Sequence, residues 1–431
     1  MILEIKHVGN DGDGIAYYKS RPVFVKNALV GETVDASLDS ENTAHVNRYI
    51  KKSPYRENDV CSCYRLCGGC SLLHAKYDEQ LNIKKNILAQ SLQKHCKIKD
   101  DFELVPSIPR NYRNSLKLPF CMANGKLANA IYSEGSNHFV IFDECFNHEE
   151  ILEITRKKII DILNEYHMQA YDRHLKKGLR YLYMRHLNDA IQVCIVTGDE
   201  QLNKDAVYRI SKLDKVVSLY QSINTSKSSL SIFGKKMLHL AGSSSLRFTV
   251  NGIKANLSIR SFYQMNTLQA SNMYSYVNSL IKDNEELVVE AYCGVGIMSL
   301  QVAKKVKKVI GIEIIPDAIS NAAANARNNN LENVNFICGD SAEELRKICR
   351  NNAVDTLIVD PPRGGLDDDM LMTIMKSKIR NIIYVSCNHL TLGTNIDVLS
   401  RKYDIRSIKA FDMFPNTSHI ETAVFMSRKA K

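Results

Sequence analysis

The last third of this 431-residue chain places reactive side chains directly after short apolar runs. Cys387 follows Ile382-Ile383-Tyr384-Val385-Ser386, and a cysteine there is either a small buried hydrophobe or a nucleophile. Asp360 follows Thr356-Leu357-Ile358-Val359 and opens Asp360-Pro361-Pro362-Arg363-Gly364-Gly365. Its two prolines fix the chain direction and hold the carboxylate at a cleft edge, which favours the nucleophile reading of Cys387 beside it. Glu421 stands between Ile420 and the run Ala423-Val424-Phe425-Met426, at the start of a strand, a setting suited to general-base work. His419, two residues earlier, is the alternative base.

A second group can hold a nucleoside. Leu287-Val288-Val289 leads into Glu290-Ala291-Tyr292-Cys293-Gly294-Val295-Gly296, where paired glycines allow close backbone approach. Ser299 replaces the third glycine of a dinucleotide fingerprint, so a pyrophosphate site is poorly matched and a plain tight turn stays open. Glu313, nineteen residues after Gly294, can accept hydrogen bonds from both ribose hydroxyls, and Asp340 can meet an adenine amino group. Upstream, Asn266 caps a helix beginning at Thr267, with Gln269 closing a capping box, which presents Gln264 rigidly. Glycine loop, acid and second acid in this register resemble the S-adenosylmethionine methyltransferase fold.

These residues need a scaffold that delivers them to one edge. From Leu287 onward, apolar strands alternate with helices (Leu287–Val289, Val309–Ile312, Val334–Ile337, Thr356–Val359, Ile382–Val385), which predicts a parallel, doubly wound sheet. Ligands of such sheets sit beyond the carboxyl ends of the strands. Residues 1–55 read as short strands, Ile2 to Val8 first, with Asp11-Gly12-Asp13-Gly14 as turn chemistry, and so as a small barrel. Lys51 to Arg56 reads as a linker. Residues 74–95 carry helical periodicity with Lys84 and Lys85 on the polar side, and Glu149 to Tyr166 is helix-like. Leu179–His186 and Ala190–Val196 are expected to pair across Asn188-Asp189. The fold class is therefore multidomain α/β. It comprises an OB-like β-barrel (1–55), a central α+β domain bearing a cysteine cluster (56–260) and a Rossmann-like methyltransferase domain (261–431).

Tyr-Cys-Gly-Val-Gly, Asp-Pro-Pro-Arg-Gly-Gly, Val-Ser-Cys-Asn and His-Ile-Glu-Thr, in this order, resemble the RNA (uracil-5-)-methyltransferases of the RumA/TrmA family, as does Ser261-Phe262-Tyr263-Gln264-Met265-Asn266. The resemblance covers nearly the whole chain. Glu290 replaces the family's usual aspartate, and Ile297 stands where relatives often carry Asn. Gly14-Ile15-Ala16, Val23-Phe24-Val25 and Ala28 to Glu32 are similar to the RNA-binding TRAM domain. The resemblance implies Cys387 adding to C6 of uracil and Glu421 removing the C5 proton. Asp360 would hold the uracil edge or the cofactor, and Arg363 the charge on O4. Gln264, Tyr292, Gly294, Gly296, Glu313, Asp340 and Asp360 would bind S-adenosylmethionine. The target nucleotide must flip out. A barrel and a cluster point to 23S rRNA; a tRNA uracil-C5 methyltransferase is the runner-up. An iron–sulfur redox or RNA-binding protein without methyl transfer is the reading from another class. The former lacks a flavin motif, and its radical-type Cys-x3-Cys-x2-Cys spacing occurs here without a barrel sequence around it; the latter has no use for Cys387 and Glu421.

Twelve cysteines include four within ten residues, a crowding that fits a metal or cluster site in a reducing cytoplasm better than a disulfide scaffold. Cys61, Cys67, Cys70 and Cys145 match the cluster-bearing members' iron–sulfur pattern and imply a 4Fe-4S cluster. Cys63 is an alternative ligand, and zinc the competing metal. The formal charge is +10, and residues 1–279 hold 37 Lys and Arg against 28 Asp and Glu. A basic front beside a near-neutral catalytic third suits a polyanion surface, with solubility as the bland alternative. No apolar run approaches the roughly 20 residues of a membrane span. A cytoplasmic monomer that binds RNA, not DNA or membrane, is expected.

Overall fold

A computed structural model describes residues 1–58, 61–64, 66–96, 102–226 and 231–430. The chain divides into two compact units, one of Met1–Pro109, Pro361–Met375 and Ile382–Lys431, the other of Arg110–Asp360 and Lys376–Asn381. These limits cut the chain elsewhere than the expected segment ends at 55 and 260.

The first unit begins with a six-stranded sheet in the order Ile2–Glu4, Thr33–Leu38, Thr43–Lys51, Arg21–Val25, Gly14–Tyr18, His7–Val8. Its two outer strands are consecutive pieces of chain, so the sheet closes on itself. At the join, Ile5 N–H donates to Glu32 O (2.9 Å) and Lys6 N–H to Ile15 O (2.8 Å). The single strand expected over Ile2–Val8 is thus broken at Ile5–Lys6, because each half pairs with a different neighbour. Leu3, Ile5, Ala16, Val23, Val25, Val34, Ala36 and Ala44 fill the interior. Gly14 has to be glycine there, since a Cβ would lie 2.8 Å from both Ala28 O and Ile5 Cγ2.

Lys51–Arg56 is no loose linker. Glu32, fully buried, accepts from Arg56 Nε (2.6 Å) and Nη2 (2.5 Å) and from the N–H groups of Leu29 (2.9 Å) and Ser53 (3.0 Å). Burial pushes this carboxyl up, but Arg56 and the two N–H groups outweigh it and hold it below the ordinary range. The helix Tyr77–Cys96 buries Ile83, Ile87, Leu88 and Leu92 as its periodicity predicts. Lys84 departs from the expected polar side. It is 0% exposed, its ammonium paired with Asp412 and donating to Phe414 O (2.9 Å). Periodicity registers apolar spacing and cannot see a distant buried counter-charge. The unit also holds the strands Asn381–Ser386, Glu421–Arg428, Tyr403–Phe411 and Glu103–Val105, side by side in that order, and the helices Asp368–Lys376 and His389–Leu399.

The second unit contains a seven-stranded sheet running Phe139–Ile141, Lys126–Tyr132, Ser115–Ala123, Leu179–Leu187, Ala190–Thr197, Val216–Ile223, Lys236–Gly242. The expected hairpin is present, Leu179–Leu187 antiparallel to Ala190–Thr197, with Asn188 at positive φ in its turn. A parallel array follows in the order Val334–Cys338, Val309–Glu313, Val288–Ala291, Thr356–Val359. Ala291 is in register with both Ile312 and Val359, so Tyr292, Glu313 and Asp360 leave their strands at one common edge. The strand–helix alternation read from the sequence thus brings these three residues to one edge.

Candidate active site

In the second unit, the loop after Val288–Ala291 is shaped by positive φ at Tyr292 (64°), Gly294 (54°) and Gly296 (80°). A Cβ on Gly296 would lie 2.7 Å from Phe336 Cζ, so that glycine is required by packing as well as by φ. A Cβ on Gly294 would meet nothing within 4 Å, so the loop is open above this residue, as a close-lying ligand needs. Gly294 N–H donates to Glu313 Oε2 (3.2 Å), and Ile315 N–H to Glu313 Oε1 (3.0 Å), which orients the acid beside the loop. Asp340 is the N-cap of Ser341–Asn351, its Oδ1 accepting from Glu343 N–H (2.9 Å).

Two carboxyls at this edge are perturbed. Burial pushes Glu290, 1% exposed, up to about 8; the Ser299 hydroxyl and N–H oppose this, while the charges of Asp360 and Glu313 add to it. Ser299 Oγ donates to Glu290 Oε2, so the residue in place of the third fingerprint glycine has its own task. Burial likewise raises Asp360 to about 7. Both carboxyls take up a proton near neutrality, the behaviour of groups at functional clefts.

Gln264 is buried, and Asn266 caps Thr267–Leu280 as expected, Oδ1 accepting from Gln269 N–H (3.2 Å). Asn114 fastens this segment: its Nδ2 donates to Gln264 O and Thr267 Oγ1 (both 2.9 Å), and its N–H to Met265 O (2.8 Å). Sequence reasoning missed Asn114, a lone asparagine 150 residues from its acceptor with no motif around it.

In the first unit, Cys387 directly follows the strand Asn381–Ser386, whose neighbour in the sheet opens with Glu421. Glu421 is 2% exposed and lies opposite Phe411. Asn388 caps the helix His389–Leu399, accepting from Leu390 N–H (3.1 Å), while its Nδ2 donates to Arg363 O (2.9 Å). Thr391 Oγ1 donates to the same carbonyl (3.3 Å). Asn388, next to Cys387, and Thr391 are therefore both tied by their side chains to the backbone of Arg363. Arg363 Nη2 lies 3.3 Å from His419 Nε2. Loss of water around the imidazole, then the charges of Arg363 and Lys84, push His419 below its ordinary value, so its neutral form prevails at neutral pH.

The cysteine-rich loop also belongs to the first unit, with Cys61, Cys67 and Cys70 partly exposed and Cys63 buried. Gly69 N–H donates to Cys67 Sγ (3.3 Å). Cys145 lies in the second unit, its thiol pushed up by burial and eased down by the N–H of Asn147 and by Arg113. Among the described residues, no three His, Cys, Asp or Glu are grouped so as to hold a metal ion. No helix among them is long and apolar enough to cross a membrane.

Comparison with known proteins bears on this geometry. The family profile described as tRNA (Uracil-5-)-methyltransferase matches residues 76–429. An uncharacterized RNA methyltransferase of Listeria innocua is 35% identical, over 99% of this chain and 97% of that protein. One from Clostridium acetobutylicum is 34% identical, over 100% and 97%. Among solved structures, the Pyrococcus abyssi tRNA (uracil-54, C5)-methyltransferase in complex with S-adenosyl-L-homocysteine superimposes with a TM-score of 0.79 at 25% identity. That match covers 99% of this chain and all of the other.

Proposed function

Because the chain belongs to the tRNA (uracil-5-)-methyltransferase family, whose members are RNA uracil-C5 methyltransferases using S-adenosylmethionine, we propose that it modifies a 23S rRNA uridine through a covalent adduct on Cys387. The observation that supports the adduct is that Cys387 follows one strand and the buried Glu421 opens the strand beside it in the sheet. C5 of uracil is a poor nucleophile. Addition of the Cys387 thiolate to C6 makes it enolate-like, with Arg363 countering the charge that builds on O4. S-adenosylmethionine supplies the electrophilic methyl that C5 takes up. Glu421 then removes the C5 proton, and elimination frees Cys387. Gln264, Tyr292, Gly294, Gly296, Glu313 and Asp340 hold the cofactor, and Asp360 the cofactor or the uracil edge. The open space at Gly294 and the tethered Glu313 fit that assignment.

The closed N-terminal sheet is the TRAM-like RNA-binding module of a three-domain chain in this reading. Cys61, Cys67, Cys70 and Cys145 are its 4Fe-4S ligands, by their spacing and by the N–H that Gly69 gives Cys67 Sγ, a bond suited to a thiolate. A cluster there would brace the loop ending at Ser71. A tRNA target is the second reading, favoured by one observation: the Pyrococcus abyssi tRNA (uracil-54, C5)-methyltransferase matches across 99% of this chain, so the barrel alone does not discriminate.

The mechanism is tested with RNA containing 5-fluorouracil, where fluorine cannot leave as a proton. A denaturation-stable protein–RNA adduct is expected with the wild type and not with Cys387→Ala; its persistence in that variant overturns the nucleophile assignment. Mapping 5-methyluridine in rRNA and tRNA of a deletion strain decides the target. Loss from tRNA alone refutes the rRNA proposal.

A further inference from the structure

A pocket of about 530 Å³ opens in the second unit, over the end of the seven-stranded sheet that carries the edge strand Phe139–Ile141. Aromatic side chains wall it. Phe139 and Tyr132 face each other across two paired strands, with ring centroids 5.3 Å apart, and remain 47% and 40% exposed. Tyr132 shares a 2.9 Å hydrogen bond with Tyr181, which also lines the pocket. On the far side the Arg180 guanidinium stacks 4.5 Å over the Tyr171 ring, held there by donating to Asn224 O (2.6 Å). Arg173 and Lys176 complete the wall, and no Asp or Glu stands among the described residues that line it.

The pocket is built, not incidental. The segment bearing Tyr171, Arg173 and Lys176 is a tight ribbon, closed by Tyr171 N–H to Leu179 O and Asp172 N–H to Lys177 O (both 2.8 Å). Asp199 N–H reaches Lys176 O (2.6 Å), and only glycines fit behind it. A Cβ on Gly198 would lie 2.1 Å from Lys176 O, and one on Gly178 2.4 Å from Ala170 O. Asp172, the acid of this ribbon, is turned onto its own backbone, accepting from His174 N–H (2.6 Å) and Leu175 N–H (3.0 Å). Two exposed cations, Arg173 and Lys176, thus stand beside solvent-open aromatic faces, without a carboxylate among the described residues of the wall.

We propose that this pocket is a binding subsite for an unpaired stretch of the substrate RNA, with bases stacking on Phe139 and Tyr132 and the phosphates meeting Arg173 and Lys176. Aromatic faces beside cations are how proteins hold single strands without reading sequence. A duplex keeps its bases stacked inside and cannot offer them to Phe139. The subsite rests on the RNA-methyltransferase reading but makes its own claim, that affinity for single-stranded RNA comes in part from this wall. Asp or Glu side chains of a protein partner would satisfy the cations but leave Phe139 and Tyr132 unused, which favours RNA.

The test is fluorescence anisotropy of the full-length protein with a labelled oligouridylate of about a dozen nucleotides, and with a duplex of like length. The wild type should prefer the single strand. Phe139→Ala should weaken it about 5- to 150-fold, the range for loss of one stacked base. Arg173→Ala should lower the salt dependence of log affinity by about 1. Both residues are surface-exposed, so thermal unfolding and S-adenosylhomocysteine binding should match wild type. Unchanged affinity in both variants, equal preference for duplex, or no wild-type binding to the oligouridylate overturns the subsite. Methyl transfer to uridine C5 by wild-type protein, measured in parallel, separates the two proposals. Its absence with the variant losses intact would sink the methylation reading alone.

Discussion

Glu290 gives the sharpest physical handle on the strand edge that carries Tyr292, Glu313 and Asp360. Its carboxyl is buried, accepts from Ser299 Oγ, and has its ordinary value of 4.5 pushed up to about 8. Below about pH 4.5 the carboxyl is neutral in both folded and unfolded chains and costs nothing. As pH rises, the unfolded chain releases this proton while the folded protein retains it, so the stability attached to the group is lost as pH climbs through the folded value. The gap between the two values, at about 1.4 kcal/mol per pH unit, sets a ceiling of about 5 kcal/mol, of which about 3 falls between about pH 5 and about pH 8.

Glu290→Gln keeps the volume and the acceptor for Ser299 but cannot titrate. Urea unfolding of wild type and variant, followed at about pH 5 and about pH 8, reads the carboxyl together with its influence on Asp360, whose charge acts on Glu290. The variant should gain about 3 kcal/mol on the wild type over that interval. If the two proteins keep a constant difference across the range, Glu290 is not held protonated by its surroundings.

Glu421→Gln retains shape and hydrogen bonding but not basicity, so with radiolabelled methyl donor and ordinary uracil RNA the label should accumulate in a protein–RNA adduct. Turnover near the wild-type rate would make Glu421 structural and send the search to His419. Lys84→Met strands Asp412 in the interior and should cost about 3–5 kcal/mol in thermal or denaturant unfolding, most of it recovered in Lys84→Met/Asp412→Leu; a double variant no better than the single would refute the pairing. Anaerobically purified protein should be brown and contain iron and sulfide, Cys63→Ser should keep that iron, and Cys67→Ser should lose it; one equivalent of zinc in colourless protein would replace the cluster by the competing metal.

The edge carrying Tyr292, Glu313 and Asp360 was legible because each follows an apolar strand, and parallel strands in register end together. Asn266 was legible for a similar reason: a cap lies within one turn of the N–H it satisfies, so its sequence neighbourhood contains the whole interaction. Lys84, Asn114 and Arg56 were not legible. Lys84 has its counter-charge 328 residues away, Asn114 its acceptor 150 away and Arg56 its carboxylate 24 away. A pattern of three- or four-residue period treats each as a polar residue awaiting water. Perturbed acidity at Glu290 was hidden in the same way, since burial depends on which helix and loop close over it.

The Lys84 bond is one of several that fasten the segment leading into Glu421. Asp412 receives Tyr77 OH (2.7 Å) and pairs with Lys84, while Asn416, at a φ of 67°, exchanges bonds with Gln80 (2.9 and 3.1 Å) and donates to Pro109 O (2.7 Å). Ser418 N–H then donates to Ser71 Oγ (2.9 Å), next to Cys70. An all-apolar contact at Lys84 and Asp412 would cost less to bury, but it would permit sliding between the helix and the segment. A buried ion pair with defined geometry penalises any other register, and register decides where the strand Glu421–Arg428 begins. The helix Tyr77–Cys96 therefore braces the segment that leads into Glu421, the residue to which we assign proton removal.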